Sequence, residues 1–161
     1  MCIRDRSHPV GQVHRGWTAD LDLATFYRIL RLRVDVFVVE QSCPYPELDG
    51  RDLEPTTRQL WIADDDGAVL ATLRLLEDGP APDGDPTYRI GRVCTDRAHR
   101  GQGQSARLIE TALAEVGRRP CRIEAQTYLT SMYARFGFVA EGEEYLEDGI
   151  PHVSMVRNPR S

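Results

Sequence analysis

Hydrophobic residues recur along this chain with two different spacings, and the switches between them outline the elements. Leu23, Phe26, Tyr27, Leu30, Val34 and Phe37 keep steps of three and four, which predicts an amphipathic helix over about residues 22–39. Its last part, Val34 to Val39, is rich in β-branched residues and is a candidate for a separate short helix. Gln59–Ala63 and Ala68–Leu76 are apolar runs on either side of Asp64-Asp65-Asp66-Gly67, a hairpin signature. The stretch from Asp78 to Pro86 carries prolines and glycines and reads as one exposed loop, after which Tyr88–Thr95 reads as a strand. Leu108, Ile109, Ala112, Leu113 and Val116 return to helical spacing between Gly103 and Pro120. Cys121–Gln126 then reads as a strand, Thr130–Phe136 as a short helix stopped by Gly137, and Phe138–Glu144 and His152–Arg157 as two closing strands. This order implies an α+β domain with antiparallel strands first and a strand-helix-strand crossover in the middle.

Composition narrows the class. With 161 residues, 20 Lys+Arg, 25 Asp+Glu and a net charge of −5, the chain fits one acidic domain with a single core. Net acidity gives no reason to expect nucleic acid or an anionic membrane as partner, and no run approaches the roughly 18 apolar residues of a membrane span. A cytoplasmic location is expected. The cysteines at 2, 43, 94 and 121 form no CxxC pair, and His8, His14, His99 and His152 are scattered, so no metal site is expected. Met1-Cys2-Ile3-Arg4-Asp5-Arg6 resembles the translation of a sequencing-adapter end, which sets residues 1–6 apart as a probable artefact and leaves residues 7–161 as a single domain, slightly more acidic and with three thiols.

The informative turn is Arg97-Ala98-His99-Arg100-Gly101-Gln102-Gly103-Gln104-Ser105, between a strand and a helix. A helix start offers unpaired N–H groups and the positive end of the helix dipole, and glycines let the backbone come close to a phosphate. Arg97, His99 and Arg100 add local positive charge. No Gly-Lys-Ser/Thr follows, so this is not a Walker loop, and the third glycine of a dinucleotide fingerprint is absent. On its own the turn is equally compatible with a purely structural role.

In this setting the chain resembles the GNAT N-acetyltransferases, whose diphosphate loop has the form Gln/Arg-x-x-Gly-x-Gly/Ala, with Arg100, Gly103 and Ser105 at the defining positions. Val36-Phe37-Val38-Val39-Glu40-Gln41, Cys43-Pro44-Tyr45, Asp49-Gly50, Ile90-Gly91-Arg92-Val93, Ala125-Gln126, Phe136-Gly137-Phe138 and Glu147-Asp148-Gly149-Ile150-Pro151-His152 resemble its ElaA-type branch. The resemblance implies a GNAT fold, a mixed and mostly antiparallel sheet with helices on both faces and splayed central strands. It also implies acetyl-CoA as donor and a small-molecule or peptide amine as acceptor, handled in a direct ternary complex by a monomer or homodimer. Ser105 replaces the usual Gly or Ala and Gln104 stands where an apolar residue is usual; backbone N–H groups survive both changes, so altered rather than lost binding is expected.

On the same resemblance Val93, Cys94 and Thr95 meet the thioester arm, Arg100, Gly101, Gln102, Gly103, Gln104 and Ser105 meet the diphosphate, and Tyr133 is the acid that protonates the departing thiolate. Tyr128 is either a contact along the pantetheine arm or a surface aromatic. Cys94 is expected to be an inert thiol, since the pattern gives it no His/Asp partner. Candidate acceptor-site residues are Glu40, Gln41, Arg74, Arg92 and His152, with Glu40 or His152 as base. Arg74 and Arg92 either receive an acceptor carboxylate or pair with Glu40, Asp49 or Asp52, and the acidic stretch Glu47, Asp49, Asp52, Glu54 is either a solvated loop or an attractor for a cationic acceptor. A competing reading is a catalytically idle acyl-CoA-binding or sensing domain, consistent with the Gln104-Ser105 pair.

Overall fold

The computed structural model describes residues 11–159; the segment Met1–Arg6 with its Cys2, and His8, lie outside the described residues. A seven-stranded mixed sheet in the order β1-β2-β3-β4-β5-β7-β6 forms the middle layer. Its strands are β1 (Gln12–Trp17), β2 (Arg58–Ala63), β3 (Val69–Pro80), β4 (Pro86–Thr95), β5 (Cys121–Gln126), β6 (Val139–Glu147) and β7 (Ile150–Arg157). The helices are α1 (Leu23–Val34), α2 (Gln104–Val116) and α3 (Thr130–Ala134), and α1 runs on into a π-helical turn over Asp35–Glu40. That turn is the separate short helix suggested by the β-branched run, closed by i→i+5 bonds such as Cys43 N–H to the Val38 carbonyl at 3.1 Å. No helix among the described residues is long and apolar enough to cross a membrane.

The apolar spacing of α2 is realised directly. Leu108, Ile109, Ala112 and Val116 are buried against Leu60, Ile62, Leu73, Leu75, Ile90 and Ile123 on one face of the sheet. Each such aliphatic side chain contributes about 1.5–3 kcal/mol by leaving water, so this face is the main store of stability. In α1 the buried stripe is Ile29, Leu32, Arg33 and Val36, one position away from the stripe that the apolar spacing predicts; Leu23 and Tyr27 are 86% and 65% exposed. The offset has one cause. An arginine occupies a core position of the helix, and it hides the true periodicity.

Arg33 is 1% exposed and is the hub of an ionic cluster on the other face of the sheet. Its Nε donates to Glu47 Oε1 at 2.7 Å, and its two terminal nitrogens donate to Asp52 at 2.6 and 3.0 Å. Arg74 on β3 donates to Asp49 at 2.8 and 2.6 Å and to Asp52 at 3.2 Å, while Arg92 on β4 lies 2.6 Å from Glu47 and 3.4 Å from Asp49. Three guanidinium groups thus neutralise three carboxylates and clamp the segment 47–52 onto the sheet. Within the acidic stretch Glu47 and Asp52 are buried, Asp49 is exposed but engaged by Arg74 and Arg92, and Glu54 pairs with Arg51. Arg74 and Arg92 belong to this network, without Glu40.

The sheet departs from the sequence pattern in one unpredicted strand and one shortened loop. β1 pairs with β2 along its whole length, from Gln12↔Ala63 to Trp17↔Arg58, although its mixed polarity carries no strand signal. The loop predicted from Asp78 to Pro86 is shorter, because β3 and β4 remain paired as far as Pro80↔Pro86. At the sheet centre, β4 and β5 are parallel but pair only at Tyr88↔Cys121, Arg89↔Arg122 and Ile90↔Ile123, as α2 crosses between them. Beyond Ile90 they separate, which is the expected splay.

The carboxylates of the cluster make it sensitive to acid. The Arg74 hydrogen bonds hold Asp49 below the ordinary carboxylate range; burial alone would raise Asp52, but the bonds and charge of Arg33 outweigh it and hold that group low as well. Stability from such groups is fully present above the unfolded value of about 3.9 and is lost as pH falls through the folded values. At neutral pH, Arg33→Ala leaves Glu47 and Asp52 buried with one guanidinium fewer, and is expected to lower the unfolding free energy by about 3–5 kcal/mol in urea titration. A loss below about 1 kcal/mol, the worth of an exposed pair, would show that the cluster is not a structural clamp.

Candidate active site

The splay has a visible cause in β4. Thr72 pairs with Cys94 but Arg74 pairs with Gly91, so β4 carries one residue more than β3 between these points, and Arg92 takes a left-handed φ of 53°. A non-glycine residue in that region is strained and persists only where its surroundings fix it. Here the Arg92 side chain supplies the restraint, through Glu47 and Asp49 and a donation to the Glu47 carbonyl at 3.1 Å. The bulge turns β4 away from β5 and leaves its edge beyond Ile90 without a partner strand in β5.

A cavity of about 290 Å³ opens at this point. Of the sequence-predicted residues it brings together Gln41, Arg74, Arg92, Val93, Tyr133 and His152. The remaining cofactor residues lie beyond it, around the far end of β4. There Arg100 opens a turn in which Gly101 and Gly103 adopt φ of 77° and 75°, and α2 begins with no side-chain cap. A Cβ at either glycine would meet nothing within 4 Å, so the turn faces open space with the first N–H groups of a 13-residue helix beside it. The Ser105 hydroxyl lies 2.9 Å from that of Thr95 and ties the helix start to the strand end. Gln104 is buried, and its carbonyl accepts from Arg107 at 2.9 Å, which satisfies a polar group in an apolar position. Both departures from the family pattern are therefore accommodated with the loop geometry intact.

Tyr133 is 3% exposed on the cavity wall, its ring edge-on to Phe138, and its hydroxyl has no hydrogen-bond partner among the described residues. Burial pushes its pKa up, so the phenol stays protonated and keeps a proton to give. His152 also lines the cavity, stacked on Tyr145. Its Nδ1 is 2.7 Å from the Ile150 carbonyl, which only accepts, so Nδ1 carries a proton; Nε2 lies 3.9 Å from Glu147. Gln41 meets Gln126 across the cavity at 3.4 Å.

Other candidates stand elsewhere. Glu40 does not line the cavity: Arg100 donates to both its oxygens at 2.6 and 2.8 Å and holds its pKa low, which makes it a poor base. The Cys94 side chain packs with Leu32 and Val36 of the α1 region, and burial pushes its thiol well up, as an inert thiol requires. Tyr128 is 74% exposed, outside the cavity wall.

Among the cavity residues that carry no sequence-based role, Glu124 is the most heavily bonded carboxylate. Glu124 on β5 accepts from Arg89 at 3.1 Å, from the Tyr145 hydroxyl at 2.7 Å and from the Ser154 hydroxyl. Burial acts to raise its pKa, but these donors outweigh it and keep the group ionised. The strict alternation Cys121-Arg122-Ile123-Glu124-Ala125-Gln126 is the signal that would have found it, since it puts Glu124 and Gln126 on the face opposite the core.

Comparison with known proteins agrees with this geometry. The model of the acetyltransferase (GNAT) domain matches residues 34–158. A UPF0039 protein of Mycobacterium tuberculosis is 59% identical over 145 residues, covering 90% of this chain and 92% of that protein. Protein ElaA of Escherichia coli is 38% identical over 145 residues, covering 86% and 91% respectively. Among solved structures, an acyl-CoA N-acyltransferase from Pseudomonas aeruginosa superposes with a TM-score of 0.82 at 45% identity, over 91% of this chain and 99% of that one. Escherichia coli ElaA does so with a TM-score of 0.80 at 34% identity, over 92% and 99%.

The buried thiols give a direct check on the side-chain placement. Cys94 and Cys121 are held protonated by burial, the latter pushed up to about 12. Iodoacetamide at about pH 8 is expected to leave both unmodified in the native protein and to label both in urea, read by peptide mass spectrometry. Native-state labelling of Cys94 would mean that its side chain faces the cleft rather than α1.

Proposed function

The chain belongs to the GNAT acetyltransferase family, in its ElaA/UPF0039 branch, and we propose that it moves the acetyl group of acetyl-CoA to a primary amine of a small molecule or peptide. The observation that carries this reading is the unpaired edge of β4, which runs from the cavity holding Tyr133 and His152 to the open glycine turn at the start of α2. A pantetheine arm laid along that edge takes the hydrogen-bonding groups that β5 leaves unused. The diphosphate then falls at the helix N-terminus, and the thioester falls at the cavity.

In the proposed reaction the amine nitrogen bonds to the thioester carbonyl carbon and the carbon–sulfur bond breaks. His152 Nε2 receives the proton that the amine loses, directly or through a water, and Tyr133 gives its phenolic proton to the leaving sulfur. Free N–H groups of the β4 edge polarise the carbonyl oxygen as charge builds on it. The cavity cations are all engaged: Arg51, Arg74, Arg89 and Arg92 each pair with carboxylates of the protein. Glu147 and Asp148 stand at the mouth, and neither is paired with an arginine or lysine among the described residues. This balance supports a cationic acceptor and gives no support to capture of an acceptor carboxylate by Arg74 or Arg92.

The test is thiol release from acetyl-CoA across monoamines, polyamines, amino acids and peptides. Turnover is expected with amines lacking a carboxylate. Tyr133→Phe is expected to lower kcat about 100-fold while leaving the Kd for CoA within about twofold of native, since the phenol acts on the leaving group and not on the ground state. Full activity in that variant would remove Tyr133 as the acid, and an absence of turnover with every amine would favour a binding or sensing role.

A further inference from the structure

The pair formed by Glu40 and Arg100 belongs neither to the core nor to the cavity, yet it joins the two halves of the site. Glu40 ends the π-helical turn, and its neighbour Gln41 lines the cavity. Arg100 begins the glycine turn. Its Nε donates to the Thr95 carbonyl at 3.1 Å, and its two terminal nitrogens donate to the two Glu40 oxygens at 2.6 and 2.8 Å. The guanidinium bridges two elements: Nε holds the end of β4, and the two terminal nitrogens hold the acceptor-side helix.

We infer that Glu40 and Arg100 form a strut that sets the shape of the glycine turn, so that Arg100 is a positioning residue and the backbone N–H groups of residues 101–105, not its guanidinium, take the diphosphate. Gly101 and Gly103 need left-handed backbone, and residues 101–103 are exposed, so the packing of the turn itself does little to hold that conformation. A rigid anchor at Arg100 reduces the ordering that binding would otherwise have to supply. The carboxylate of Glu40 also cancels the charge of Arg100, which leaves the helix N-terminus with its free N–H groups and the nearby Arg97 as the attraction at this spot. The inference rests on the reading of this turn as a diphosphate cradle, and it assigns to Glu40 a structural part in place of the base.

The two roles for Arg100 predict opposite signs when the glutamate charge is removed. If the guanidinium bound phosphate directly, Glu40→Gln would free it and tighten CoA. If the pair is a strut, Glu40→Gln weakens CoA by about fivefold in calorimetry and speeds amide exchange at residues 101–105 in the unliganded protein by a similar factor. Arg100→Glu is expected to lose at least as much. The reversed pair Glu40→Arg/Arg100→Glu restores the ion pair but not the donation to the Thr95 carbonyl, and is expected to recover part of the loss in both readouts relative to Arg100→Glu. Tighter binding in Glu40→Gln, unchanged exchange in the turn, or a reversed pair no better than Arg100→Glu would each overturn the strut. A native protein that binds no CoA would sink the proposed reaction, while the exchange measurement would still decide whether the pair orders the turn.

Discussion

The site depends on β4 being unable to stay paired with β5. A parallel pair that continued past Ile90 would satisfy its own backbone and leave no room for a substrate. The extra residue in β4 prevents this, and it requires Arg92 to hold a left-handed conformation that its own side chain disfavours. Strain of this kind costs roughly 1–3 kcal/mol and must be held in place from outside. The hold comes from Glu47 and Asp49, which are themselves fixed by Arg33 and Arg74. A buried arginine in a helix is therefore connected by a short chain of ion pairs to the strand edge proposed to receive the thioester.

Such a cluster is weak evidence of net stability, because each charge loses hydration on burial and an apolar core of the same volume does as well or better. Its value here is registration. Three forked cations and three carboxylates fit together in few ways, so they fix the segment 47–52 against β3 and β4 where interchangeable aliphatic contacts would let it slide. The same neutrality sets the electrostatics of the cleft. The protein is acidic as a whole, and its cavity arginines are already engaged with its own carboxylates.

The sequence made the regular elements legible wherever one face was uniformly apolar. α2, β2, the start of β3 and β5 follow their spacing closely. β1 has too few apolar positions to signal a strand and is defined by its partner. In α1, Arg33 broke the stripe and shifted it by one position, which is how a core cation misleads a periodicity reading. For the site, the motif resemblance pointed to the turn, the β4 edge, Tyr133 and His152, of which the last two line one cavity. It did not reveal that Glu47 and Asp52 are buried or that Glu40 faces Arg100, because both depend on contacts across 60 or fewer residues of intervening chain that no local pattern encodes. Glu124 was visible only as one member of an alternation.

In the proposed complex an acyl-CoA lies along the unpaired edge of β4 with its diphosphate on backbone N–H groups at the start of α2. Backbone amide shifts in an NMR titration with acetyl-CoA report on each of these contacts. The largest changes are expected at Val93, Cys94, Thr95 and residues 101–105, with smaller ones around Tyr133. Changes centred elsewhere on the sheet, or saturable binding that leaves the β4 edge and the glycine turn unmoved, would contradict it.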